Sequence, residues 1–330
     1  MEHIALRDLI HIDAVWSRLE LVEERLYTVT SSQVGFLTQV AQHLLPGGKR
    51  YRPLLAQVAA ELGPAPGPRA VEAGVAVELV HLGSLSHDDV IDEAASRHWR
   101  PSVNANWSNT VAILGGDFLL ARASEVAAPL GEEAVALLAG TYATLCEGQV
   151  LELELTGETE HGTAEYFAII EAKTASLIRT SARLGALAAG ADRDVIEGVS
   201  SWAWEMGIVF QMADDVLDLV GTEETLGKPA GSDVAEGVFT LPVLHALKGP
   251  QGPQLSRLLS GPRPYPKTAV SQVIDAVEAG GYVDEVLSEA ATRLKKANTA
   301  IDDIPPSEAG DTMRRLGGYL LDRVETARTR

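Results

Sequence analysis

Residues 71–92 read VEAGVAVELVHLGSLSHDDVID, and this stretch decides the fold class. Residues 71–85 are apolar on nearly every side of a helical wheel, with Glu72, Glu78 and His81 as the main exceptions. A helix that is apolar all round belongs at the centre of a large bundle. The stretch then ends in Asp88-Asp89-Val90-Ile91-Asp92. Each helical residue advances about 100°, so Asp88 and Asp92 fall about 40° apart, with Asp89 expected on the same side. Anions this close repel by about 1 kcal/mol per pair even in bulk water. The pattern recurs as Asp214-Asp215-Val216-Leu217-Asp218. A chain that keeps both clusters does so for a cation, and hard oxygen ligands in a protein with one cysteine favour Mg²⁺. Mg²⁺ held by one or two carboxylates leaves positions open for phosphate oxygens, so the inferred ligand is a diphosphate.

The rest of the chain extends the same pattern. Helical spacing predicts helices over roughly 12–45, 52–62, 68–93, 108–129, 132–156, 164–190, 193–221, 238–247, 268–279, 282–301 and 307–328. Period-two runs between turns are nearly absent. The expectation is therefore an all-α protein, a single large helical bundle over residues 1–330, both acidic clusters pointing into a central apolar cavity. LGPAPGPRA at 62–70 reads as a turn, and residues 248–268 as a longer irregular segment. With 330 residues, 46% of them hydrophobic, the chain is long enough to bury a large core. A net charge of −19 argues against nucleic acid and anionic membranes as partners. Cys146 is the only cysteine, the start lacks a basic segment followed by an apolar one, and no stretch of bilayer length is free of charges or turn formers. A cytoplasmic protein is expected.

In so acidic a chain a basic cluster is informative. Gly47-Gly48-Lys49-Arg50-Tyr51-Arg52-Pro53 frees the backbone with two glycines and gathers three cations. It is either a solvated helix cap with Pro53 at the helix start or an anion site, and the acidic clusters favour the anion site. Arg97, His98 and Arg100 follow the first acidic cluster, and Gly227-Lys228-Pro229 and Asp233 follow the second. The repeated order of carboxylates, loop and cation suits a ligand both metal-chelated and strongly anionic. Lys173 and Thr174 interrupt the apolar pattern of EYFAIIEAKTASLIRTSARLGALAAG, and Gln211 lies one turn before Asp215. Each of these alone reads more readily as structural.

The stretches GGKRYRP, ELVHLGSLSHDDVID, AILGGDFLLARA, CEGQVLELE, AKTASLI, GIVFQMADDVLDLVGTEETLGKPAGSD and TLPVLHAL span roughly residues 47 to 247. In content and order the chain resembles the trans-isoprenyl diphosphate synthases, the polyprenyl synthetase family. The resemblance implies an isoprenoid-synthase fold, a prenyltransferase and a homodimer. It implies that Asp88, Asp89, Asp92, Asp214, Asp215 and Asp218 hold Mg²⁺, about three ions per active site, against an allylic diphosphate. Arg97, Lys173 and Lys228 would bind the same diphosphate. Lys49, Arg52 and His81 would hold the diphosphate of isopentenyl diphosphate, with His98 beside it. Thr174 and Gln211 would place partial negative charge near the carbocation.

The chain also departs from that family. Arg97-His98-Trp99 stands where Arg-Arg-Gly is usual, and Gly237-Val238-Phe239-Thr240 where Gly-Lys-x-Thr is usual. An unperturbed imidazole is mostly neutral at pH 7, so His98 replaces an arginine only in part. A weakened grip on isopentenyl diphosphate, or a changed substrate pairing, is expected. Gly83 and Ser84, one turn before Asp88, are small. Either they leave the cavity floor open, for a product of geranylgeranyl length or longer, or Gly83 serves close helix packing. Three rivals stand beside condensation. One is a terpene cyclase that ionises an allylic diphosphate without condensation. Another is a di-iron carboxylate bundle built on Glu78-x-x-His81 and Glu158-x-x-His161. The last is a non-catalytic subunit of a heteromeric synthase, which the intact acidic motifs oppose.

Overall fold

The computed structural model describes residues 2–97, 100–222 and 229–328. The helices are α1 (Glu2–Leu9), α2 (Asp13–Val29), α3 (Gly35–Gln42), α4 (Tyr51–Ala60), α5 (Pro68–Ile91), α6 (Val103–Asn106), α7 (Asn109–Ala127) and α8 (Glu132–Leu155). They continue with α9 (Thr163–Ile170), α10 (Ser176–Ala188), α11 (Arg193–Val220), α12 (Ser232–Glu236), α13 (Leu241–Lys248), α14 (Gly252–Leu258), α15 (Lys267–Ala279), α16 (Tyr282–Thr299) and α17 (Glu308–Arg328). Strand structure among the described residues is one antiparallel ladder, β1 (Ser96–Arg97) with β2 (Arg100–Pro101). The all-α expectation holds.

The helix expected over 12–45 is broken. Thr30 Oγ1 donates to Leu26 O at 2.7 Å, Ser31 Oγ donates to Tyr27 O at 2.9 Å, and Ser32 N donates to Thr38 Oγ1 at 2.8 Å. Short hydroxyl side chains compete for the backbone groups a continuing helix needs, so α2 stops at Val29, within the TVTSS run of residues 28–32. The helix expected over 164–190 carries a π-helical turn at Glu171–Ala175 between α9 and α10. The segment expected to be irregular over 248–268 contains the short α14.

The chain forms two compact units. The first comprises Met1–Ala143, Leu177–Ser201 and Ile301–Met313; the second comprises Thr144–Ser176, Trp202–Ala300 and Arg314–Arg330. In the first, α5 is central and packs against α7, α4 and α2. It buries residues on every side, from Ala70 and Val71 through Val75, Val77, Leu79 and Leu82. A Cβ at Gly83 would meet Leu120 Cγ at 2.9 Å and Gly116 O at 3.2 Å, so the glycine is what lets α7 approach. In the second unit the buried residues Trp202, Met206, Val209 and Met212 of α11 form core, and α13 packs on α15 and α16. A Cβ at Gly207 would lie 2.5 Å from Ala175 Cα, so α11 runs against the π turn.

Candidate active site

In the first unit, His81, Ser84, Leu85 and Asp88 are half-buried while Leu82, Gly83, Ser86 and Asp89 are buried. The i, i+3, i+4, i+7 spacing makes the former one accessible stripe of α5. Asp92, which caps the helix, is exposed. Asp89 departs from the expectation that it shares their side. It is fully buried, and Arg97 Nε donates to its Oδ1 at 2.6 Å. Asn104 Nδ2 donates to Asp89 O at 3.0 Å and to Ala94 O at 3.2 Å, while Ser102 Oγ donates to Ala94 O at 2.5 Å. These bonds pin the segment that carries Arg97 to the end of α5. Two carboxylates, Asp88 and Asp92, are left on the accessible side.

The basic loop approaches the same helix. Arg52 Nη1 lies 3.2 Å from His81 Nε2, and Lys49 is exposed. Arg50, the third cation of the sequence cluster, turns inward: its Nη1 donates to Glu78 Oε1 at 2.8 Å. Burial pushes the Glu78 carboxyl above the usual carboxylate range, while Arg50 and Arg52 pull it back. Glu78 and His81 thus face Arg50 and Arg52. Glu158 and His161 lie in the turn between α8 and α9, outside any helix. The structure therefore gives the di-iron reading no support. Among the described residues no group of three or more His, Cys, Asp or Glu side chains is gathered as a metal cage.

The second unit contains a cavity of about 260 Å³. Glu152, Tyr166, Lys173, Thr174, Gln211, Asp215 and Asp233 line it, together with apolar Ile169, Ile170, Val238 and Phe239. Thr174 Oγ1 donates to Gln211 Oε1 at 2.7 Å, and Gln211 Nε2 donates to Asp215 Oδ1 at 2.7 Å. Tyr166 OH donates to Asp215 Oδ2 at 2.6 Å. Thr174 and Gln211, both singled out in the sequence, therefore form one hydrogen-bonded chain ending on Asp215 of the second acidic cluster. Burial pushes the Asp215 carboxyl up to about 8, against the bonds from Tyr166 and Gln211, with Asp233 and Asp214 adding repulsion. Burial, and then Asp215, push the Tyr166 hydroxyl well above its ordinary value. Lys173 Nζ is paired with Glu152 Oε1. The π turn carries Lys173 and Thr174, and such turns often mark functional positions.

The other members of the second cluster differ. Asp218 is buried, accepting from Ser232 Oγ at 2.8 Å and from Asp233 N at 3.3 Å, so it ties down the start of α12. Asp214 is half-buried, with Arg323 Nη1 4.0 Å from its Oδ1. Lys228, His98 and Trp99 lie outside the described residues. Sequence reasoning gave no role to Tyr166 or Glu152. A signal existed for Tyr166: it lies two turns before Lys173, and a buried tyrosine needs a partner for its hydroxyl.

Residues 34–277 match the model of the family described as Polyprenyl synthetase. The chain belongs to the polyprenyl synthetase family. It is 37% identical over 327 residues to the nonaprenyl diphosphate synthase of Mycobacterium tuberculosis, covering 97% of this chain and 96% of that one. It is 38% identical to heptaprenyl diphosphate synthase component 2 of Geobacillus stearothermophilus, covering 92% and 95% of the two chains. Among solved structures, the polyprenyl synthase of Caulobacter crescentus complexed with calcium and isoprenyl diphosphate superposes with a TM-score of 0.89 at 31% identity, covering 96% of this chain and 98% of that one. The geranylgeranyl pyrophosphate synthase of Corynebacterium glutamicum complexed with calcium and isoprenyl diphosphate gives 0.83 at 37% identity, covering 94% and 96%. This family membership accounts for the helical architecture and for the order of the motifs.

Proposed function

We propose that the chain is a trans-polyprenyl diphosphate synthase, a prenyltransferase that condenses isopentenyl diphosphate head-to-tail with an allylic diphosphate. The observation that carries this reading is the Thr174–Gln211–Asp215 chain lining one cavity with Lys173. Two solved relatives are complexed with calcium and isoprenyl diphosphate, and the arrangement here suits a ligand with a diphosphate at one end and an apolar chain at the other.

The donor set fits Mg²⁺. Mg²⁺ is commonly bound by one or two carboxylates plus substrate phosphates, not by an all-protein cage. Asp88 and Asp92 on the accessible edge of α5, and Asp214 of α11, offer hard oxygens of that kind, with Asp89, Asp215 and Asp218 as further candidates. When bound, the metal neutralises charge on the departing pyrophosphate. Lys173, and Lys228 beyond the second acidic cluster, would supply positive charge to a leaving diphosphate, as would Arg97 beside the first cluster. As the allylic carbon ionises, the Thr174 and Gln211 side-chain oxygens stabilise the cation. Lys49, Arg52 and His81 orient isopentenyl diphosphate, whose double bond attacks. A proton then leaves, and pyrophosphate is the available base. Apolar Ile169, Ile170 and Phe239 keep water from the cation.

The reading extends to the whole chain as one catalytic domain and to a homodimer, supported by exposed Ile113 and Leu114 on α7 and Val150 and Leu153 on α8. It also includes a cytoplasmic location, supported by the lone Cys146 and the acidic surface. α8 alone among the described helices is long and apolar enough to cross a bilayer, and the same residues suit a helix–helix interface. The product is of geranylgeranyl length or longer.

The test is incubation with Mg²⁺, labelled isopentenyl diphosphate and allylic primers of increasing length, followed by product sizing. Elongated prenyl diphosphates are expected. Rapid pyrophosphate release from the primer alone, with a hydrocarbon or alcohol product, overturns condensation in favour of cyclisation.

A further inference from the structure

The loop that carries Lys49 and Arg52 has an unusual backbone. Gly47 has φ +94°, and Arg50, with φ +54°, is left-handed although it is not a glycine. That conformation is uncommon outside Gly, Asn, Asp and His, so something must hold it. The holder is the Arg50 side chain, itself 4% exposed. Its guanidinium donates to both carboxylate oxygens of Glu23, one of them Oε2 at 3.2 Å, to Glu78 Oε1 at 2.8 Å, and to Leu45 O. Gly48 completes the arrangement, since a Cβ there would overlap Arg50 Nη1. The glycine and the inward arginine are two parts of one device.

One turn further along α5, His81 meets Arg52. Glu78-x-x-His81 is thus not a metal pair but two successive rungs, one against Arg50 and one against Arg52. With Arg50 fixed inward, the residue before it, Lys49, is left exposed, and the residue two beyond it is brought onto His81. We infer that Glu23 and Glu78, acting through Arg50, are positioning residues that set the geometry of the isopentenyl diphosphate site. This rests on the reading of Lys49, Arg52 and His81 as that site. Lysine cannot replace Arg50, because a point charge lacks the planar fork that serves several acceptors at once.

The test uses the full chain with Mg²⁺ and a saturating allylic diphosphate while isopentenyl diphosphate is varied. Four proteins are compared: wild type, Lys49→Ala, Glu23→Gln and the double variant. Glu23 has a side chain 39% exposed, so its variant is expected to fold, and a thermal melt checks this. Lys49→Ala is expected to raise KM for isopentenyl diphosphate about tenfold, as loss of a charge-assisted hydrogen bond does. Glu23→Gln is expected to raise it about fivefold, with kcat and the allylic KM within about twofold of wild type. In the Glu23→Gln background the Lys49→Ala effect shrinks to about twofold, because a misplaced lysine has less to lose. Arg50→Lys gives the same selective KM shift as a second, independent reading. If the two effects simply multiply, or if Glu23→Gln and Arg50→Lys lower only stability or kcat, the positioning role is overturned while the site reading stands. If Lys49→Ala itself leaves KM unchanged, the site reading fails and the inference falls with it.

Discussion

Gly83 and Ser84 are neighbours on α5 with opposite surroundings. Gly83 is buried against Leu120 and the Gly116 carbonyl, whereas Ser84 lies half-buried on the accessible stripe with its Oγ donating to His81 O at 2.9 Å. Of the two expectations for this small pair, close packing explains Gly83, and only Ser84 is placed to limit a product. Gly83→Ala should therefore lower stability by about 1–3 kcal/mol in a denaturant titration, since Leu120 must shift, and leave the product spectrum as it was. Ser84→Phe should shorten the product in the elongation assay. An unaltered spectrum would place the floor elsewhere. Asp89 teaches the same lesson about neighbours. Its identity in the acidic motif is plain from the chain, but its burial against Arg97 depends on a hairpin folded back from beyond the helix.

At the scale of elements, the long periodic segments were legible. The ends of α5, α8 and α11 fall within a few residues of where hydrophobic spacing, turn residues and acidic patterns put them. The break between α2 and α3 and the π turn before α10 were not, because hydroxyl competition and an inserted helical residue leave the apolar periodicity almost unchanged. The start of α8 is fastened by charge. Arg193 donates to Glu133 through both guanidinium Nη atoms at 2.7 and 2.9 Å, and Arg183 Nη2 donates at 3.2 Å. The bonds from Arg193, then Arg183, hold the Glu133 carboxyl down at about 2 against an ordinary 4.5. Between those values the unfolded chain binds more protons than the folded one. The stabilisation is therefore present above pH 4.5 and is lost as pH falls towards 2. Glu133→Gln should cost less than about 1 kcal/mol at pH 7, because the side chain is partly exposed and solvent-screened. The gap between variant and wild-type denaturation midpoints should close near pH 2. A gap that persisted there would assign it to packing.

For the whole molecule, the contrast is between a net charge of −19 and several large apolar side chains left in water. Ile113 and Leu114 are 44% and 58% exposed, and Val150 and Leu153 are 54% and 52% exposed. Large apolar side chains left exposed on an otherwise charged protein are what a self-association surface would use. Light scattering should report about twice the 35.1 kDa of one chain, and Leu114→Glu with Leu153→Glu should move it towards a single chain. A wild-type protein that runs as a monomer at assay concentration would remove the homodimer from the proposal.

Helicity, the central place of α5, the two acidic clusters, the family and the basic loop were all determined by the chain alone, because each rests on local spacing or on residue type. Only the folded chain decided that Arg50 turns inward while Lys49 stays out, that Asp89 and Asp215 are buried, and that Tyr166, Thr174 and Gln211 form one hydrogen-bonded chain. These outcomes depend on residues tens of positions apart meeting at hydrogen-bond distance. One-dimensional periodicity says which face of a helix is apolar; it carries no information about which partner from another helix arrives there.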